Sequence, residues 1–275
     1  MYKNFEFSAE NFTFKHLAES CANPDEKIFK MHTHITCEIY YFISGKGTFN
    51  IEGTKYILQS GDILIMNDTE SHFIEISPDS TYERCAINFK KDFVRLIDKK
   101  GFLLEAFENR QPGEHNLYRR QNFKNENYLE FLQNMMDDSP EKELQISINL
   151  LSLLGEIRTA YYKTKAIETP HLKTDINKII RYIVKNLDSS LSLDMICEHF
   201  YISKPHLCRV FKQYMGCSVW NYITIKRLVK ARAMIDSGQQ PTKIFAECGF
   251  SDYSTFFKAY KKHFGTPPKE IRKLK

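Results

Sequence analysis

Several features are missing from this 275-residue chain, and each absence narrows what it can be. Its seven cysteines fall singly, none in a Cys-x-x-Cys pair, and their number is odd. That excludes a disulfide-stapled secreted scaffold and fits a reducing compartment, with most of the thiols serving as small apolar side chains. No run of about 18 apolar residues occurs, and the N-terminus has no signal-peptide apolar core, so a soluble cytoplasmic protein is expected. There is no glycine-rich phosphate loop, no nucleophile elbow and no carboxylate pair at a recognisable spacing, so the chain does not read as an enzyme. What is present is enough apolar sequence, 42%, for about two domains with real cores. Charge is divided unevenly. Leu172–Lys275 carries 19 Lys and Arg against eight Asp and Glu, net +11, while residues 1–171 carry 20 against 26, net −6. A basic module joined to an acidic one fits a phosphate-binding unit with a separate sensing unit.

The basic half contains one short unit written twice. Ile196 matches Ile244 and Ser203 matches Ser251, 48 residues on; after one extra residue Leu207, Arg209, Phe211 and Gly216 match Phe256, Lys258, Tyr260 and Gly265. Each copy has the grammar of a helix-turn-helix: a short apolar-periodic helix, a turn, a Ser at or near the cap of the next helix, and a Gly that stops it. In the first copy Leu207, Val210, Phe211 and Tyr214 take the core face, leaving Lys204, His206, Arg209 and Lys212 outward. In the second, Phe256, Tyr260 and Phe264 are buried, and Ser251, Tyr253, Ser254 and Lys258 join the outward set. Such a face suits the major groove of double-stranded DNA, where Arg addresses guanine and the others address phosphates or base edges. Between the copies, Val219–Asp236 predicts one continuous helix, with Lys226, Arg227, Lys230 and Arg232 supplying charge. Its 18 residues give a strut of about 27 Å, near the ~34 Å between successive major-groove faces.

The stretch from about Thr174 to Lys273 resembles the DNA-binding domain of the AraC/XylS transcription regulators. The resemblance rests on Ser203-x3-Leu207-x-Arg209-x-Phe211-Lys212, on Gly249-Phe250-Ser251-Asp252-x-Ser254-x-Phe256-x-Lys258, and on Phe264-Gly265-Thr266-Pro267-Pro268 before a short helix at Lys269–Lys273. One departure is Phe245, which stands where the family usually has Ala, in the first helix of the second unit. The resemblance implies a promoter or operator as partner, and RNA polymerase if the protein is an activator.

The acidic half reads as β. Met1–Lys30 is aromatic-rich and predicts an edge strand or arm. Met31–Ile43, Thr48–Ile51, Lys55–Leu58, Ile63–Met66, His72–Ile76 and Tyr82–Phe89 follow as short strands, with a hairpin signal at Glu52-Gly53-Thr54. Alternation places His32, His34, Thr36, Glu38, Tyr40 and Phe42 on one face of the first strand, with an apolar opposite face. Tyr82 and Arg84 share a strand face by the same rule. This region resembles a cupin through His32-x-His34-x3-Glu38-x6-Gly45 and Gly61-x5-Asn67-x4-His72, with Asn67 where the family usually has Pro. Carried over residue by residue, that resemblance implies His32, His34, Glu38 and His72 as ligands of a divalent transition metal. Two other readings stand beside it. The same residues, with Tyr40, Tyr82 and Arg84, contact a small-molecule effector such as a sugar directly, or they form a satisfied polar network.

Further on, helices are expected at Asp92–Lys99, Leu103–Phe107 and Asn125–Met136. A long helix should follow from a Ser139 cap, with Pro140 at N1, to about Lys163, and its apolar stripe reads either Leu144, Ile148, Leu151, Leu154 or Leu150, Leu153, Ile157. The family resemblance implies a homodimerisation helix here; packing on the β domain is the alternative. The expected fold is α+β with two domains. Residues 1–163 form an antiparallel cupin or jelly-roll-like barrel with helices, the effector-binding and dimerisation domain. Residues 164–171 are a linker. Residues 172–275 form an all-α DNA-binding domain whose helix-turn-helix units, 193–214 and 241–264, are joined by the long helix. The function expected is a ligand-responsive, sequence-specific transcription regulator; a cupin metalloenzyme or metal sensor carrying a DNA-binding domain is the alternative.

Overall fold

In a computed structural model, residues 4–20, 31–77, 80–124, 126–137, 139–166, 175–189 and 191–269 are described. The chain divides into two compact units, Met1–Lys30 with Thr36–His171, and Met31–Ile35 with Leu172–Lys275. Of the expected linker, 164–171, residues 167–171 lie outside the described ones, as does most of the closing helix at Lys269–Lys273.

In the first unit, strands β1 (Phe5–Ser8), β2 (Phe12–Ser20), β3 (Cys37–Ser44), β4 (Gly47–Ile51), β5 (Thr54–Ile57), β6 (Ile63–Met66), β7 (His72–Ile76) and β8 (Thr81–Phe89) are followed by helices α1 (Lys91–Ile97) and α2 (Glu105–Glu108), strand β9 (Leu117–Tyr118), and helices α3 (Asn127–Met136) and α4 (Lys142–Lys165). The strands form an antiparallel six-stranded sheet, β1-β2-β8-β3-β6-β9, and a three-stranded one, β5-β4-β7. The β4–β5 hairpin closes through Glu52 and Gly53, both at positive φ (48° and 80°), the two-residue turn whose twist matches the flanking strands. These are two open sheets rather than the closed barrel the sequence led us to expect, because β4, β5 and β7 pair only with one another.

The large sheet is covered on both faces, as the double apolar pattern of its third strand required. Cys37 and Ile39 face a core shared with Leu132, Leu150, Leu153 and Ile157 of α3 and α4. Tyr40 and Phe42 face the other way, into a core with Phe49, Ile51 and Ile74 of the small sheet. The expected strand Met31–Ile43 begins only at Cys37. The chain bends at Ile35 and Thr36, and Met31–Ile35 groups with the second unit. Period-two alternation therefore cannot place His32, His34 and Thr36 beside Glu38, because it holds only within one strand.

Helix α4 starts two residues later than the capping signal implied. Ser139 Oγ accepts the Glu141 backbone N–H at 3.2 Å, a local turn that competes with helix, and Pro140 lies outside the helix. Both candidate stripes of α4 exist. Leu150, Leu153, Leu154 and Ile157 are fully buried, while Leu144 and Ile148 remain 58% and 55% exposed. A polar pin holds the loop before β9 in place. The buried Glu70 carboxylate accepts from Arg110 Nη1 (2.7 Å) and Nη2 (2.6 Å), and from the backbone N–H groups of Asn67 (2.7 Å) and Gly113 (2.8 Å). Burial alone would raise its pKa, but the Arg110 guanidinium and these donors hold it below the ordinary value.

The second unit is helical: α5 (Asp175–Lys185), α6 (Leu193–Phe200), α7 (Lys204–Met215), α8 (Val219–Asp236), α9 (Pro241–Ile244) and α10 (Tyr253–Phe264). The capping grammar is realised. Ser192, Ser203, Ser218 and Asp252 accept the N–H three residues on, and Gly216 and Gly265 end α7 and α10 at φ 67° and 72°. The second recognition helix is thus capped by Asp252, one residue after Ser251, since a carboxylate accepts more strongly than a hydroxyl. Leu207, Phe211 and Met215 anchor α7, and Phe256 and Tyr260 anchor α10, all essentially without exposure. Burying each such large apolar chain is worth roughly 1.5–3 kcal/mol. Val210, Tyr214 and Phe264, also expected in the core, are half-buried. Helix α8 spans the predicted residues, but its charges do not all face solvent. Lys226 and Arg227 are buried, because the helix is packed on more than one side.

Candidate nucleic-acid interface and effector site

On α7, Lys204, His206, Arg209 and Lys212 are all exposed, opposite the buried Leu207 and Phe211. His206 Nδ1 accepts from Arg209 Nη2 at 3.3 Å, which orients the guanidinium along the helix face. Lys204 is tied down: its ammonium sits 2.6 Å from Asp194 of α6, and that contact holds its pKa above the usual lysine value. It therefore braces the helix-turn-helix as well as facing outward. On α10, Ser251, Ser254 and Lys258 are exposed, while Tyr253 is half-buried. The Tyr253 ring lies among Phe245, Phe256 and Phe257, with centroids 5.9, 5.8 and 6.1 Å away. Phe245, the departure from the family pattern, thus supports the first turn of the second recognition helix. Asp252, which caps that helix, is held below the ordinary carboxylate value, chiefly by the Thr255 N–H and also by its hydroxyl.

In the first unit the inward face of β3 meets β7 and β8 around a polar cluster. Glu38 and Tyr40 come from β3, Tyr82 and Arg84 from β8, and His72 from β7. The Tyr40 and Tyr82 hydroxyls are 2.5 Å apart. The Arg84 guanidinium lies 5.6 Å over the Tyr40 ring, and its buried Nε has no hydrogen-bond partner among the described residues. His72 Nε2 is 3.2 Å from Glu38 Oε2, and its Nδ1–H donates to the Glu70 carbonyl at 2.9 Å. Burial opposes charge on His72, but Glu38 outweighs it and raises the imidazole pKa. Burial likewise pushes Tyr82 up to about 12, so both hydroxyls stay protonated at neutral pH. Phe49, which sequence reading missed although it lies on the alternating inward face of its strand, stacks on His72 and meets Tyr40 edge-on. Aromatic walls with convergent donors and acceptors are what a small polar ligand requires.

Five of the expected effector residues, Glu38, Tyr40, His72, Tyr82 and Arg84, are therefore brought together. His32 and His34 have their rings 4.9 Å apart and edge-on, and His32, His34 and His72 each offer one possible ligand atom, all within 4.8 Å of one another. For a divalent metal, Glu38 and His72 have the right chemistry. With Nδ1–H donating to a carbonyl, Nε2, which faces Glu38, is the nitrogen that would ligate a metal, the arrangement usual for a metal-bound imidazole. Among the described residues, no helix is long and apolar enough to cross a membrane.

A β unit with a buried polar cluster and a helical unit with two capped recognition helices define a DNA-binding regulator with a ligand-binding domain. Residues 20–154 match the AraC-like ligand binding domain, and residues 196–274 match a helix-turn-helix domain. The HTH-type transcriptional activator RhaS of Escherichia fergusonii is 25% identical over 252 residues, covering 89% of this chain and 87% of that protein. RhaS of Mannheimia succiniciproducens is 23% identical over 249 residues, covering 90% of each. The probable transcription factor PqrA of Proteus vulgaris is 31% identical over 100 residues, covering 35% of this chain and 82% of that protein. The chain belongs to the AraC family of transcription regulators.

Proposed function

We propose that this protein is a cytoplasmic, homodimeric transcription activator whose β unit binds a small polar effector, of the sugar class, and whose helical unit presents α7 and α10 to successive major grooves of a promoter. It recruits RNA polymerase rather than catalysing a reaction. The observation that supports the effector reading best is the Arg84 Nε, buried and without a hydrogen-bond partner among the described residues, beside the paired Tyr40 and Tyr82 hydroxyls. A buried donor left unpaired is costly, and a ligand oxygen would satisfy it. The exposed Leu144 and Ile148, one turn apart on α4, support a dimer face. The effector acts by binding one arrangement of the dimer more tightly than another. Thermal shift of the full chain against a panel of sugars and sugar acids tests this. A ligand that binds the native state raises the midpoint, and Arg84→Met should abolish the rise without lowering the ligand-free midpoint. A panel without any shift, or an undiminished shift in Arg84→Met, refutes the site.

A second reading is a divalent metal held by His32, His34, Glu38 and His72, supported by the Glu38–His72 contact and the fixed His72 ring. Elemental analysis of the chain as isolated decides it: one metal per chain that is lost in His72→Ala supports the reading, and sub-stoichiometric metal refutes it. The relatives are regulators, which supports a sensory rather than catalytic role for such an ion.

A further inference from the structure

The basic side chains of α8 do not all serve DNA. Arg227 Nε donates to the Leu187 carbonyl at 2.8 Å and its Nη2 to the Ser189 carbonyl at 2.9 Å, both in the connection between α5 and α6. One turn on, Lys230 Nζ donates to the Glu247 carbonyl at 3.0 Å, in the turn after α9, and lies 3.9 Å from Asp188. Gly249 closes against the same guanidinium. A Cβ built there would lie 2.3 Å from the Leu187 carbonyl oxygen and 2.6 Å from Arg227 Nε, and its φ is +80°. Three segments thus converge: the connection that carries the first helix-turn-helix, the central helix, and the turn of the second helix-turn-helix. Beside them is an open cleft of about 520 Å³, reaching from Trp220 and Thr224 to Ser251 and Thr255. Hydrogen bonds from Arg227 and Lys230 hold the three segments together beside that cleft.

We propose that Arg227 and Lys230 are positioning residues that fix the separation and relative twist of the two recognition helices, and so set which spacing of half-elements on DNA this protein accepts. A continuous helix alone fixes only its own axis; the second unit could still roll about its contact with α8. The guanidinium fork orients the α5–α6 connection on α8, because two bonds from one planar group define an orientation where a single bond would not. Lys230, with the close approach of Gly249, ties the turn of the second helix-turn-helix to the same place and prevents that roll. Desolvation lowers the Arg227 pKa, in line with a group committed to carbonyls and withdrawn from solvent. The inference rests on both units reading DNA, and the test separates the two.

Duplexes bound by the full wild-type chain are first selected from a randomised library. Affinity is then measured for a selected duplex, for the same duplex with one base pair inserted between its half-elements, and for one whose second half-element is scrambled. Arg227→Lys keeps the charge and loses the fork; Lys230→Met alters a half-exposed side chain and leaves the core intact. Each should weaken binding to the selected duplex roughly five- to tenfold, leave the scrambled duplex unchanged, and shrink the penalty of the inserted base pair. Equal weakening on all three duplexes, or an undiminished insertion penalty, overturns the proposal. If scrambling the second half-element costs the wild type nothing, the two-site reading itself fails. Should Arg227→Lys not fold, as judged by circular dichroism and Trp220 fluorescence, Lys230→Met alone decides, since its three affinities must still move in the stated pattern.

Discussion

Replacing Arg110 by Met isolates the cost of a buried carboxylate whose partner has been removed. In the folded protein Glu70 is almost fully buried, and Arg110 gives it two charge-assisted bonds of 2.6 and 2.7 Å. The Asn67 and Gly113 N–H groups remain in the variant, but no cation does. Breaking a buried pair from one side typically costs 3–5 kcal/mol, and the two surviving backbone donors place the expected loss near the lower end, about 3 kcal/mol. The pH dependence follows from the sign of the shift. In the wild type the Glu70 pKa is depressed, so its contribution is present above the ordinary carboxylate value near 4.5 and is lost only as pH falls through the lower folded value. In Arg110→Met burial is opposed far less, the folded pKa moves above the ordinary value, and the carboxyl takes up a proton on mild acidification. The gap between wild type and variant should therefore be largest near pH 7.5 and narrow toward pH 5. Urea unfolding followed by far-UV circular dichroism measures it. Trp220, the single tryptophan, sits in the helical unit, so its fluorescence transition should be little altered. A loss below about 1 kcal/mol, or a gap independent of pH, would refute the reasoning.

Other expectations can be tested directly. Arg209→Ala should weaken binding by roughly 1–3 kcal/mol and relax preference at one base position; a selected site with unchanged preference contradicts base readout there. Lys212→Ala should lower affinity evenly across sequences and reduce the slope of log affinity against log salt by about one. Leu144→Glu with Ile148→Glu should convert dimer to monomer in sedimentation velocity without moving the melting transition, because both side chains are already exposed; an unchanged sedimentation coefficient assigns dimerisation elsewhere. Phe211→Ala, which empties a fully buried site, should cost about 3–5 kcal/mol in the helical unit.

The helical unit was the more legible half in sequence. Local signals decide it: caps at Ser192, Ser203 and Ser218, and glycine stops at Gly216 and Gly265, all lie within a turn of what they terminate. Helix α8 was bounded correctly for the same reason. What periodicity could not show was the direction of its charges, since burial of Arg227 depends on carbonyls 38 and 40 residues away. The β unit was legible strand by strand, and the inward cluster of Glu38, Tyr40, Tyr82 and Arg84 followed from alternation. Alternation does not reach His32 and His34, which precede the strand; that they come within 4.8 Å of His72 depends on the path of the chain before Cys37. The Glu70–Arg110 pin joins positions 40 residues apart through a stretch without periodic pattern, and nothing local announces it.

The wrapping of α8 on more than one side has a consequence for how such a protein can change. An inserted residue in an α-helix advances everything after it by about 1.5 Å and turns it by about 100°. A helix with one dry face can absorb this by letting a new set of residues meet water. Here most of the circumference is spoken for, with Ile223, Ile225, Lys226, Arg227, Leu228 and Val229 all enclosed, so no neighbouring register restores the fit. The length of the span between the two reading heads is therefore frozen, and new target sites must be reached by editing the outward side chains of α7 and α10 while the distance between them stays as it is.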